Sequence, residues 1–167
     1  MQELLPRAEQ AGALLKNRDE TIVIAESSTG GLVSAALLSV AGASAYFLGG
    51  AVVYTQTARR VLFDAPDIGG LGMRASTEAY ALYGARLARQ RFGATWALSE
   101  TGATGPTGNR YGDAAGHTCI AVVGPTDHVI TLETGKSDRV ANMRAFSAAA
   151  LDLLVKDWNK VFKQEGK

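Results

Sequence analysis

Residues 21–25 (TIVIA) form an unbroken run of β-branched and apolar side chains with no charge inside it. A strand with one wet face alternates apolar and polar residues, so an unbroken run reads as a strand buried on both faces. Such a strand requires helices above and below its sheet, which restricts the chain to a layered α/β arrangement. The flanking sequence supplies those helices. In residues 2–17, Leu4, Leu5, Ala8, Ala11, Leu14 and Leu15 recur at helical spacing, with the charges on the other face. Gly30 and Gly31 open a second helix reaching Val40, with Ser28 or Thr29 as N-cap. Ser76 or Thr77 caps a third that runs to about Phe92, where Arg86, Arg89 and Arg91 complement its negative pole. A last helix over residues 137–161 carries a stripe of Val140, Met143, Phe146, Ala150, Leu153 and Leu154.

Further strands are predicted at residues 46–54 (YFLGGAVVY), where Gly49 and Gly50 mark a bulge or a close backbone approach, and at 94–99. Residues 117–123 and 129–133 read as a hairpin joined through Gly124-Pro125-Thr126-Asp127. Residues 57–63 make a short helical piece, 65–72 a loop, and 100–116 too irregular a stretch for a regular element. The expected fold is a three-layer α/β/α sandwich whose sheet is mixed because of the terminal hairpin, in one domain over residues 1–167.

Composition narrows the function. Seventeen basic against sixteen acidic residues leave a formal charge of +1, too even for a nucleic-acid footprint. One cysteine, Cys119, excludes a disulfide framework; two histidines without an acidic cluster argue against a metal site. Glu3, Arg7, Glu9 and Lys16 are foreign to a signal peptide, and no apolar run approaches the roughly eighteen residues of a membrane span. A soluble cytoplasmic protein without cofactor, acting on neither nucleic acid nor membrane, is expected.

Three polar segments offer chemistry. Ala25-Glu26-Ser27-Ser28-Thr29-Gly30-Gly31 follows a buried strand and begins a helix, where backbone N–H groups favour an anion or oxyanion. It is neither a Walker A loop nor a Gly-x-Ser-x-Gly elbow. Tyr54 to Arg60 sets a tyrosine just before Arg59 and Arg60, cations that favour its phenolate. Thr101 to Gly108 resembles the dinucleotide loop of short-chain reductases, but no helix follows Pro106, no acidic residue stands about twenty positions on, and the Tyr-x-x-x-Lys pair is missing. It is read as a glycine-rich loop lining a small-molecule pocket. Cys119, His117 and His128 are read as structural or solvated.

Taken together, Ala25-Glu26-Ser27-x-Thr29-Gly30-Gly31, Gly42-Ala43-Ser44 with Phe47-x-Gly49-Gly50, Tyr54, Gly102-x-x-Gly105-Pro106 and Asp138-Arg139 resemble the C-terminal domain of the competence/damage-inducible protein CinA, over about residues 21–154. Stand-alone members of that family are nicotinamide mononucleotide deamidases. The resemblance implies a homodimeric, metal-independent amidase in which a serine attacks the carboxamide and ammonia leaves. It places Ser27 as nucleophile and Tyr54 in the catalytic set, with Thr29, Gly30, Gly31, Gly102 and Gly105 cradling oxyanion and nucleotide and Arg139 on the phosphate.

The family's lysine, five residues after that tyrosine, falls on Arg59, and Ser28 stands where members usually carry cysteine. Arginine, with a pKa above about 12, does not surrender a proton as a desolvated lysine can. Two readings follow: Tyr54 serves as base, or the chain is a catalytically impaired nucleotide-binding or regulatory domain.

Overall fold

The computed structural model describes residues 1–165, and the side chains of residues 1–156. In chain order the elements are α1 (Leu5–Asn17), β1 (Ile22–Glu26), α2 (Leu32–Leu38), β2 (Phe47–Val52), α3 (Gln56–Phe63), α4 (Glu78–Phe92), β3 (Trp96–Ala103), β4 (His117–Val123), β5 (Asp127–Glu133) and α5 (Arg139–Glu165). The strands form one sheet in the order β2-β1-β3-β4-β5. β1 pairs in parallel with β2 and β3, whereas β3–β4 and β4–β5 are antiparallel, which gives the expected mixed sheet.

β1 is buried at every position, and its alternation divides the core. Ile22 and Ile24 join Trp96, Leu98, Ile120 and Val122 beneath α1, α2 and α5. Val23 and Ala25 face the other way, with Ala97, Ala121 and Ala81, Ala85 and Ala88 of α4. That second layer is built from small residues, so α4 lies close on the sheet: a Cβ at Gly84 would come within 2.8 Å of Ser99 Oγ. The close approach expected at the β2 glycines also has a cause, since a Cβ at Gly50 would fall 2.0 Å from Ser34 Oγ of α2. The β1–β2 register slips between Ile22↔Phe47 and Val23↔Gly49, leaving Leu48 as the bulged residue. Among the described residues, no helix is long and apolar enough to cross a membrane.

Four local expectations are corrected. α2 is capped by Gly31 at φ +99° with no side-chain hydrogen bond, because the Ser28 and Thr29 hydroxyls are drawn to buried carboxylates instead. β3 continues past Ser99 to Ala103, carried by antiparallel pairing of Glu100–Ala103 with His117–Ile120, although Glu-Thr-Gly-Ala shows no apolar alternation. The loop before α4 contains a 3-10 turn, Ile68–Leu71, nucleated by the Asp67 carboxylate accepting from Gly69 N–H. Val140, assigned to the buried stripe of α5, is 54% exposed because it sits in the first turn, ahead of the residues that reach the core.

Candidate functional site

Parallel pairing of β1 with β2 and β3 brings three carboxyl-terminal strand ends to one edge of the sheet, where ligands of open α/β sheets bind. A cavity of about 470 Å³ opens there. Ser27 enters it from the end of β1, Val53 and Tyr54 from the end of β2, and Thr101 and Gly102 from β3. Arg59 reaches it from α3 and Tyr80 from α4, and Asn109, Arg110 and Tyr111 close it from the loop after β3. A recess of about 10 Å³, room for no more than one water, shares Ser27, Val53, Arg59 and Tyr80 with the cavity and adjoins Glu100.

Glu100 is 1% exposed and organises the serine turn. Its Oε2 accepts the backbone N–H of Ser27 at 3.1 Å and of Thr29 at 3.0 Å, and the Thr29 hydroxyl lies 3.1 Å away. Its Oε1 accepts the hydroxyls of Ser28 at 2.5 Å and Thr118 at 2.8 Å. Glu26, also buried, accepts the Val33 and Ser34 N–H groups at 3.2 and 3.0 Å and the Ser34 and Thr29 hydroxyls at 2.5 and 2.7 Å. The helix start that sequence reasoning offered to an oxyanion is therefore already neutralised by a carboxylate of the chain itself. Thr29, Gly30 and Gly31 lie outside the cavity lining: Thr29 is fully buried, a Cβ at Gly30 would meet Met143 Cε at 2.9 Å, and one at Gly31 would face Val52. Ser27 is left as the hydroxyl of the turn that lines the cavity, and it makes no hydrogen bond to another described residue.

The cation beside Tyr54 differs from the expected one. Arg139, at the start of α5, donates from Nη1 to the Gly105 carbonyl at 2.7 Å and from Nη2 to the Tyr54 hydroxyl at 3.4 Å. Gly105 and Arg139 thus brace the rim through each other and are not among the lining residues, whereas Gly102 is. Arg59 turns toward α4: its Nη1 donates to the Tyr80 hydroxyl at 2.9 Å, and its guanidinium lies 5.3 Å from the Tyr80 ring centre. Burial pushes the Tyr80 phenol above its ordinary pKa of 10.0 despite that cation, so Tyr80 keeps its proton at neutral pH.

The stretch after β3, expected to be irregular, is a built turn. The Asn109 side chain accepts the N–H groups of Tyr111 and Asp113 at 3.0 and 3.1 Å and donates to Asp113 Oδ2 at 2.8 Å. Arg74 grips Asp113 with two bonds of 2.6 and 3.1 Å, which hold the carboxyl below its ordinary pKa.

His117, for which the sequence offered no acidic partner, pairs through Nδ1 with Glu133 on the neighbouring strand, and its Nε2 lies 3.0 Å from the Ser76 carbonyl. Burial alone would lower its pKa; the bonds to Glu133 and Ser76, with Asp113 nearby, outweigh burial and hold it above the ordinary 6.5. A raised folded pKa stabilises fully below the unfolded value, and that stability is lost as pH rises through the folded one. The urea midpoint of the wild type is therefore expected to fall, relative to His117→Gln, as pH climbs above about 6.5. Parallel midpoint–pH curves for the two proteins would remove this account of the His117 contact.

Sequence reasoning found Ser27, Tyr54 and Arg59, which line one cavity, but missed Glu100, Tyr80, Arg110 and Tyr111. The one available signal for Glu100 was a lone carboxylate directly after the strand-like run 94–99.

Comparison with known proteins agrees with this architecture. A CinA-like protein of Salinibacter ruber is 33% identical over 141 residues, covering 84% of this chain and 34% of that protein. One of Trichormus variabilis is 34% identical over 152 residues, covering 88% and 36%. The chain thus spans about a third of the length of these curated relatives. A competence-damaged protein (CinA) superfamily protein of Klebsiella pneumoniae superposes with a TM-score of 0.87 at 22% identity, covering 94% of this chain and 98% of that one; the likeness is one of fold. The competence/damage inducible protein CihA of Agrobacterium tumefaciens gives 0.85 at 26% identity, covering 94% and 96%. With residues 5–157 matching the CinA C-terminal domain, the chain belongs to that family.

Proposed function

We propose that this domain hydrolyses the carboxamide of nicotinamide mononucleotide to nicotinate mononucleotide and ammonia, with Ser27 as nucleophile. The observation that carries the reading is an unpaired serine hydroxyl on a turn fixed by Glu100, inside a cavity lined by three tyrosines and two guanidinium groups and by no carboxylate. Ser27 Oγ attacks the carboxamide carbon and loses its proton, ammonia departs from the tetrahedral intermediate, and water releases the carboxylate and restores the serine. Arg59 does not take that proton; Tyr54 relays it, its oxygen taking the serine proton as its own O–H proton passes to the departing nitrogen, so that ammonia leaves and the phenol is unchanged. Arg59 acts electrostatically, its guanidinium supplying positive charge to the cavity in which the oxyanion forms.

Steady ammonia release from nicotinamide mononucleotide, above the protein-free background, tests this directly. A second reading is favoured by the Arg59–Tyr80 hydrogen bond, which engages the residue at the position of the family's lysine with a buried phenol of α4. Under it the domain binds the mononucleotide saturably by calorimetry, releases no ammonia, and acquires turnover on Arg59→Lys, within the roughly 10²- to 10⁴-fold that a general base supplies. Absence of both binding and turnover overturns both readings.

A further inference from the structure

We propose that the turn carrying Arg110 and Tyr111 is the phosphate-binding element of the cavity, with the Arg110 guanidinium as anchor for a phosphomonoester; this rests on the nucleotide reading above and assigns the phosphate to a residue other than Arg139. Four observations carry it.

Arg110 lines the cavity and, among the described residues, has no carboxylate partner. The nearby acid, Asp113, is committed to Arg74 through two hydrogen bonds and to Asn109 through a third. Arg74 is thus neutralised, while the charge on Arg110 is not. The guanidinium is also pre-positioned: Nη2 donates to the Tyr111 hydroxyl at 2.8 Å, and the group stacks 5.0 Å from that ring. The Arg74 guanidinium lies 5.5 Å from the same ring, so the Tyr111 ring is held by two cations.

The groups left over suit a tetrahedral anion. The remaining N–H groups of Arg110 and the Tyr111 proton, freed because that oxygen accepts from Arg110, are all donors. Asn109 closes the turn with its Oδ1, which accepts from Tyr111 and Asp113, and with one N–H to Asp113, which leaves its second N–H as a further donor. A phosphomonoester, with about two negative charges and three acceptor oxygens, is matched by donors alone.

Position completes the case. Ser27 and Arg59 share the recess that adjoins Glu100, whereas Arg110 and Tyr111 line the cavity without lining that recess. A ligand with its reacting group at Ser27 therefore extends its other end toward the turn. Arg139, by contrast, has its fork occupied by the Gly105 carbonyl and the Tyr54 hydroxyl and stands outside the lining.

The test is calorimetric titration of the intact wild type, Arg110→Ala and Arg110→Lys with ribose 5-phosphate and with ribose. Neither probe has an amide, so the result is independent of any amidase activity. Ribose 5-phosphate is expected to bind the wild type more tightly than ribose does. Arg110→Ala should weaken it at least about tenfold, the loss of one charge-assisted fork, with ribose unaffected and Arg110→Lys in between. Unfolding midpoints equal to wild type confirm that the variants are folded, as expected for an exposed side chain. Equal ribose 5-phosphate affinity in wild type and Arg110→Ala, or no preference for the phosphorylated sugar in the wild type, overturns the assignment. Should ammonia release fail while this pattern holds, the amidase reading falls and the phosphate element stands.

Discussion

Ser27→Ala is expected to abolish ammonia release from nicotinamide mononucleotide, a loss of at least about 10⁴-fold, while leaving folding and nucleotide affinity close to wild type. The separation follows from how the turn is held. Glu100 grips residue 27 through its backbone N–H, which alanine retains, and the Ser27 hydroxyl makes no hydrogen bond to another described residue. Removing it orphans no buried partner and alters no packed surface, so unfolding midpoints should coincide. Turnover that survives in Ser27→Ala means that another group performs the attack and retires the nucleophile assignment. Loss of activity with a collapsed melting transition would mean that the turn, rather than the hydroxyl, was damaged.

Glu100→Gln carries the largest expected effect on stability. The carboxylate is met by the Ser27 and Thr29 N–H groups and by three hydroxyls, all within 3.1 Å. An amide of the same shape accepts at its oxygen only; its NH2 must face donors at the other end. With the backbone N–H groups unable to turn away, a cost of about 3 kcal/mol is expected, a large share of a typical domain's 5–15 kcal/mol. For a chain of this length that lowers Tm by roughly 6–12 °C. Activity should fall as well, since the donors being displaced belong to the nucleophile's own backbone and to Ser28 and Thr29 just after it. Thermal unfolding by circular dichroism checks it; a Glu100→Gln melting point within a degree or two of wild type would show that the turn holds itself.

The layers were legible because periodicity records burial. TIVIA carries two buried faces in five residues, the α1 stripe puts Leu4, Ala8, Ala11 and Leu15 on one side, and the hairpin turn at Gly124-Pro125 separates two β-rich runs. What escaped were features decided by a partner far along the chain. β3 extends through a Glu-Thr-Gly-Ala stretch of no strand character because β4 supplies its hydrogen bonds across seven paired positions. Asn109–Asp113 reads as a loose loop, yet a carboxamide, a carboxylate and Arg74 cross-brace it. Candidate residues showed the same division. Ser27 and Tyr54 were found because strand ends are where side chains meet ligands, while Glu100 and Tyr80 acquire their roles from residues 18 or more positions away.

By itself, the sequence determined the alternation of strands and helices, the two-sided sheet and the family, since each is written in local spacing or in a motif order that folding does not alter. Tertiary structure alone decided where the charges go. Two buried carboxylates, Glu26 and Glu100, take hydroxyls and N–H groups that the motif by itself offers to a ligand. Arg139 comes from the last helix to stand beside Tyr54, and Arg59 turns to Tyr80. A hydrogen bond or ion pair acts over a few ångströms in space, whatever the separation along the chain, so its partners are known only once the sheet has brought them together.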